Sequence, residues 1–172
     1  MALFGISTLT LAGCIERFFF YPDSARYASP EQFGLKAEDV RLTASDGTKL
    51  HAWFLPAGGG PAKGTVLHLH GNAANVSNHL PLVAWLPARG YNVLMLDYRG
   101  FGKSTNSLPS EDLAHEDALA AWRWLARQQP QAKRFVFGHS LGSAIAVRLA
   151  SEVDDITGVI VEGGFTSIPD VF

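Results

Sequence analysis

Apolar residues in this chain fall into short blocks whose spacing changes partway along. Thr65 to Leu69, Tyr91 to Leu96, Arg134 to Phe137 and Gly158 to Val161 are brief β-rich runs, apolar on successive residues, and the longer segments between them have helical character. A run that stays apolar on successive residues has two faces to bury, as a strand in a parallel sheet does. Ahead of these runs the pattern is different. Val40 to Ala44 alternates, Ser45-Asp46-Gly47-Thr48 supplies turn residues, and Leu50 to Leu55 follows with Trp53 and Phe54, which together predict a β-hairpin.

Three helices are predicted between the strands. Ser110 is placed to cap one whose first turn carries Glu111 and Asp112, favourable at the positive end of the helix dipole. Leu113, Ala114, Ala118, Trp122, Leu125 and Ala126 form its apolar face, and Pro130 lies beyond its end. Asn75 to Leu86 and Leu141 to Ser151 are the other two. Trp122 and Trp124 stand two residues apart, so one of them at most faces the core. Strands alternating with helices after a hairpin predict an α/β fold, a doubly wound and mostly parallel sheet with the antiparallel hairpin at one edge. No second domain is indicated.

Composition narrows the function classes. Of 172 residues 47% are apolar, and 14 Lys and Arg oppose 16 Asp and Glu for a net charge of −2, which excludes a disordered chain. No basic excess exists to displace counterions from phosphates, so nucleic acid is not an expected partner. A single cysteine, Cys14, rules out an internal disulfide framework, and no clustered ligands announce a metal or other cofactor.

The first 13 residues carry no charge and are too few to cross a bilayer, which at about 1.5 Å per residue needs roughly 20. They fit the apolar core of a signal peptide, although no Lys or Arg stands near Met1. Leu11-Ala12-Gly13-Cys14 resembles the lipobox of bacterial lipoproteins, which implies lipidation at Cys14, a membrane-anchored protein and a place in the cell envelope. Residues 14–37, with Phe18-Phe19-Phe20-Tyr21 ahead of Pro22, are expected to form a tether that packs on the domain or dips into a membrane interface.

The chemistry concentrates at Gly138-His139-Ser140-Leu141-Gly142. A lone GxSxG is a weak signal in a glycine-rich chain, but here it follows a predicted strand and opens a small-residue helix, the context a nucleophile elbow needs. Glycines two positions before and after the serine leave room where helix and strand cross closely. The competing reading is a serine that merely caps the helix. An acyl-transfer site also needs two N–H donors about 3 Å from the developing oxyanion. The Leu141 amide is one candidate, and Asn72 or Ala73, after His70-Gly71 at the end of another strand, supplies the second. Asp97 to Ser104 forms a third loop at the same mouth, where Asp97 and Arg99 are expected to fix the loop by hydrogen bonds.

His70 to Ala73, Asp97 to Ser104 and Gly138 to Gly142, in this order and separation, resemble the alpha/beta-hydrolase superfamily, and within it the membrane-associated serine esterase and lysophospholipase-like branch. Residues 162–170 are similar to the segment that follows the next strand in that branch. The resemblance covers about residues 40–172. It implies Ser140 as nucleophile, the Asn72 and Leu141 amides as oxyanion hole, and a small-molecule or lipid ester as substrate.

One element of that pattern is absent. The superfamily's triad runs serine, acid, histidine along the chain, yet His51, His68, His70, His79, His115 and His139 all precede Ser140. His139 is expected to point away from Ser140, and His70 to be structural. Glu162 stands where some superfamily members carry the triad acid. The expectation is therefore a hydrolase domain over residues 38–172 that lacks its C-terminal part and is inactive or impaired as this chain. The alternative is a non-catalytic truncated or degenerate relative, at most a binding module.

Overall fold

A computed structural model describes residues 20–164. Cys14, the signal-like segment and the residues after Gly164 lie outside that range. Six strands form one sheet in the order β2-β3-β6-β4-β7-β8: β2 (Glu38–Thr43), β3 (Lys49–Leu55), β4 (Gly64–Leu69), β6 (Tyr91–Asp97), β7 (Arg134–His139) and β8 (Gly158–Glu162). The expected hairpin is β2 and β3, which pair antiparallel and join β6 antiparallel. The other pairings, β6 with β4, β4 with β7 and β7 with β8, are parallel. Two short strands, β1 (Tyr21–Pro22) and β5 (Ala73–Ala74), pair with each other in parallel.

Alternation along the central strands sorts their side chains into two layers. Leu67 and Leu69 of β4 and Leu94 and Leu96 of β6 face the core shared with helices α2 (Glu111–Gln128) and α3 (Leu141–Glu152). Val66, Val93 and Met95 face the other way, against Val76, Leu80 and Val83 of helix α1 (Val76–Val83). Helices on both faces explain why these strands read as continuous apolar runs rather than alternating ones. Leu67 and Leu94 are fully buried, each gaining about 1.5–3 kcal/mol from leaving water. At the β8 edge, in contrast, Val159, Ile160 and Val161 remain exposed.

The helices follow their sequence signals with one difference. Ser110 adopts an extended conformation and its hydroxyl accepts the Leu113 N–H at 3.2 Å, capping α2. Ser110→Ala should cost about 1 kcal/mol, read as a lower urea midpoint with an unchanged slope; an unmoved midpoint would remove the cap's energetic role. The helix expected over 75–86 stops at Val83. Pro87 has no N–H to return to the Val83 carbonyl, which takes the Leu86 N–H in a tighter turn instead. A 3-10 turn, Pro87–Arg89, then leads into β6. Trp122 is buried and donates to Asp155 Oδ1 at 2.8 Å, while half-buried Trp124 meets Phe54 edge-on.

The stretch expected as a tether is laid along the domain from Phe20 onward. Phe20 is buried and its ring meets Phe101 edge-on. Beyond it, Asp23 N–H bonds Ala74 O, Tyr27 N–H bonds Ser77 Oγ, and a 3-10 turn at Pro30–Phe33 carries the chain toward β2.

Candidate active site

Ser140 joins β7 to α3 with φ 53° and ψ −116°. A left-handed φ at a residue with a side chain costs on the order of 1–3 kcal/mol, and such strain collects where function requires it. The surroundings enforce the conformation. Ser140 N–H donates to the Glu162 carbonyl at 2.8 Å, and Ser143 Oγ donates to the Gly138 carbonyl at 2.9 Å and lies 3.1 Å from that of Glu162. The glycines act as the steric argument requires. A Cβ on Gly138 would sit 2.7 Å from Ser143 Cα, and one on Gly142 would sit 2.9 Å from the His70 carbonyl oxygen and closer still to the Leu69 carbonyl.

The Ser140 side chain makes no capping bond to α3, although it occupies the position before the helix. That removes the reading of a serine kept for its cap. Ser140 is half-exposed. Leu141 supplies the first amide of α3, which has no helical carbonyl to bond and carries the positive end of the dipole.

The second loop leaves β4 at Leu69. His70 is fully buried, with Tyr98 4.4 Å and Phe101 5.0 Å from its ring. Its Nδ1 lies 2.7 Å from the Gly71 carbonyl, so the proton sits on Nδ1 and fixes the peptide that carries the Asn72 N–H. Gly71 leaves a gap in which three groups converge: a Cβ there would lie 3.3 Å from His79 Cε1, 3.4 Å from His139 Cδ2 and 3.5 Å from Ser140 Cβ. His79 Nε2 lies 3.1 Å from the Ala73 carbonyl.

Four histidines thus cluster under the mouth. Burial holds the His70 imidazole down at about 4, with the neighbouring His79 adding to the effect. Burial likewise lowers His79 and pushes His68 well below the ordinary range. Neither ring nitrogen of His68 has a hydrogen-bond partner among the described residues. The rings of His68, His70 and His79 are therefore neutral at pH 7. His139 Nδ1 lies 3.5 Å from Glu162 Oε2, at ion-pair distance without a hydrogen bond. The Glu162 carboxylate is itself exposed, and its main chain, through the carbonyl, holds the elbow.

Asp97 ties the third loop to the second. It is buried, and its carboxylate accepts the first N–H of α1, from Val76, at 2.9 Å and the Lys103 N–H at 3.4 Å. His51 Nδ1 stands 2.7 Å away, and its Nε2 2.5 Å from Asp39, whose carboxyl is held at about 2 chiefly by that bond. Arg99 binds Asp117 through its main-chain N–H and its guanidinium and reaches Asp46 at 2.7 Å. The expected role of Asp97 and Arg99 in fixing the loop is what these bonds perform. His51 and Asp39 gave no sequence signal, because only the β2–β3 register brings them together.

Among the described residues no group of three or more His, Cys, Asp or Glu is arranged to hold a metal ion, and no helix is long and apolar enough to cross a membrane.

The chain is similar to known proteins in sequence and in fold. The family described as serine aminopeptidase S33 matches residues 60–171. Protein YfhR of Escherichia coli K12 is 43% identical over 158 residues, which cover 87% of this chain and 54% of YfhR. The alpha/beta hydrolase domain-containing protein WAV2 of Arabidopsis thaliana is 39% identical over 150 residues, 83% of this chain and 47% of WAV2. The chain spans about half the length of these relatives. Among solved structures, the Pyrococcus furiosus esterase Pf2001 superposes with a TM-score of 0.72 at 30% identity, covering 81% of this chain and 55% of the esterase. Together with the strained serine between β7 and α3, these matches establish that the chain belongs to the serine aminopeptidase S33 family of the alpha/beta-hydrolase superfamily.

Proposed function

We propose that Ser140 is the nucleophile of a carboxylic-ester hydrolase that works through an acyl-enzyme. The observation that carries this reading is the left-handed Ser140 with its hydroxyl unused by the helix it precedes. In the first half-reaction Ser140 Oγ attacks the ester carbonyl carbon, the carbonyl oxygen becomes an oxyanion held by backbone N–H groups, and collapse expels the alcohol. Water then cleaves the acyl-serine bond and releases the acid. The similarity to an esterase of known structure supports an ester as substrate.

A general base must take the Ser140 proton, and none of the described histidines bonds its hydroxyl. His51 is held between two carboxylates, His115 meets Glu152 and His139 Nδ1 faces Glu162, while His68, His70 and His79 are buried below the loop. Nucleophile and oxyanion donors without a base retain only a residual part of the catalysis, about 10³–10⁴ over water in comparable cases. On this reading the described residues supply the nucleophile and its oxyanion donors, and the base is not among them.

Fluorophosphonate labelling followed by intact mass tests both parts. The expected result is a slow adduct on the chain, at least about 1,000-fold slower than an intact triad gives, and none on Ser140→Ala. An adduct that persists in Ser140→Ala removes the serine from its role, and rapid Ser140-dependent labelling overturns the absence of a base.

A further inference from the structure

We infer that His51 is a positioning residue for acyl transfer: it braces the Asp97 carboxylate, and that carboxylate holds the downstream end of the loop whose Asn72 N–H serves the oxyanion. This inference rests on the assignment of Ser140 as nucleophile and deepens it. Part of the site's rigidity then comes from the N-terminal hairpin, which joins the sheet on the side opposite β7.

The loop after β4 hangs between two posts. It leaves β4 at Leu69 and enters α1 at Val76, and between them Gly71 packs beside Ser140, where a Cβ would lie 3.5 Å from that of the serine. The span is not relaxed, for Ala74 takes φ 60°, a left-handed conformation that a residue with a Cβ does not keep unaided. Its downstream post is Asp97. The Val76 N–H is the first of α1 and has no helical carbonyl to bond, so it donates to Asp97 Oδ1 at 2.9 Å. The N-terminal strap, residues 20–25, meets the residue before it, Asn75, whose Nδ2 donates to Asp23 Oδ1 at 2.9 Å.

What fixes the carboxylate is His51. Asp97 Oδ2 accepts from His51 Nδ1 at 2.7 Å and from the Lys103 N–H at a longer 3.4 Å, so among the described residues His51 is the side chain that donates to it. Strand register makes the contact direct, since His51 stands opposite Asp97 in the β3–β6 pairing. Gly102 closes another side, where a Cβ would overlap the carboxylate itself. The ring is held in turn. Its Nε2 lies 2.5 Å from Asp39 Oδ1, which Lys103 Nζ approaches to 3.1 Å, and Trp53 meets it edge-on. Without the His51 donor a buried carboxylate is left with an underused oxygen and turns toward other donors, and the Val76 N–H loses its fixed acceptor.

The two ring nitrogens can be tested apart. His51→Asn puts an amide N–H near the place of Nδ1, keeping the bond to Asp97 and losing Asp39, whereas His51→Gln puts one near the place of Nε2, keeping Asp39 and leaving Asp97 without it. Two readouts serve on the 172-residue chain: Val76 amide exchange by NMR, and residual acetylation of Ser140 by p-nitrophenyl acetate followed by intact mass. His51→Gln should speed the exchange and slow acetylation, each about tenfold, since a misplacement of about 1 Å costs up to about 100-fold. His51→Asn should bring both back to within about twofold of the parent. Equal slowing by the two amides overturns the brace and leaves the ring a packing group, and so does a folded His51→Gln that matches the parent. If His51→Gln melts below the assay temperature, Val76→Pro decides, because proline suits the first position of a helix and lacks the N–H that Asp97 accepts. It should slow acetylation about tenfold as well, and a parent rate overturns the brace. No Ser140 adduct on the parent chain overturns the nucleophile and with it any role in acyl transfer. Val76 exchange then decides the brace by itself: faster in His51→Gln keeps it, unchanged removes it.

Discussion

Replacing Gly142 with alanine should destabilise the protein by about 3 kcal/mol or more, although the change adds a single methyl group. Overpacking a core costs typically about 1–3 kcal/mol because side chains can shift. Here they cannot help, for the atoms in the way are backbone: the Leu69 carbonyl carbon would lie 2.5 Å from the new Cβ and the His70 carbonyl oxygen 2.9 Å. Relief would require α3 to move off β4, unpacking Leu141 and Ile145 from a core in which both are buried. Loss of that packing is the large-effect class of mutation, and a small domain has only about 5–15 kcal/mol to lose. Gly58→Ala is the matched control, since its Cβ would meet only the Pro87 carbonyl at an ordinary 3.5 Å. Urea midpoints should fall sharply for Gly142→Ala and hardly for Gly58→Ala. Equal midpoints would show that helix and strand are not in the close contact described.

The second large effect is acid destabilisation through the buried histidines, beginning near pH 6.5. The folded state holds His70 at about 4 and lowers His68 and His79 as well, all by burial, while the unfolded chain protonates them near 6.5. Between those values the unfolded state binds more protons, so stability is fully present above about pH 6.5 and is lost as pH falls. For His70 alone the loss by pH 4 is on the order of 3 kcal/mol. Asp39, held at about 2, contributes only at lower pH and leaves this window to the imidazoles. His68→Leu should flatten the dependence, because it removes a buried ring whose nitrogens have no partner among the described residues. Urea unfolding at pH 7.5 and pH 5 checks this: parent and variant losing stability in parallel would take His68 out of the account.

Much of the fold was legible because its signals are local. Successive apolar residues in β4 and β6, the Ser110 cap and the Asp46-Gly47 turn each state their conformation within a few residues. The elbow was legible for the same reason, since Gly138, Ser140 and Gly142 lie on one turn and their spacing expresses a steric need. What escaped was whatever depends on register between distant segments. His51 meets Asp39 and Asp97 only through the pairing of β2, β3 and β6, and Asn75 meets Asp23 only because the strap returns across the loop after β4. The aromatic patch at Phe20 read as one that packs on the domain or dips into a membrane interface, for an apolar ring carries no mark of which surface will cover it, and here Phe20 is buried against Phe101. The end of α1 shows the same limit on a smaller scale: Pro87 was visible, but its effect lies four residues upstream, at the Val83 carbonyl.

The strand order has a consequence for how the chain acquires this structure. β4 is the centre of the sheet, yet both its partners come later in sequence: Val66 pairs with Val93 and with Phe135. The hairpin of β2 and β3 can form early, because its pairing is local, but it joins the sheet only through β6. The last tie is later still, when β8 arrives to give the Glu162 carbonyl to Ser140 N–H. Loops this long must close before their contacts reward them, so folding should be slow for the chain's size, and one edge of the central strand must wait for β7 after β6 has paired with the other. The strained serine is then among the last residues to be set, when the sheet that restrains it is already assembled.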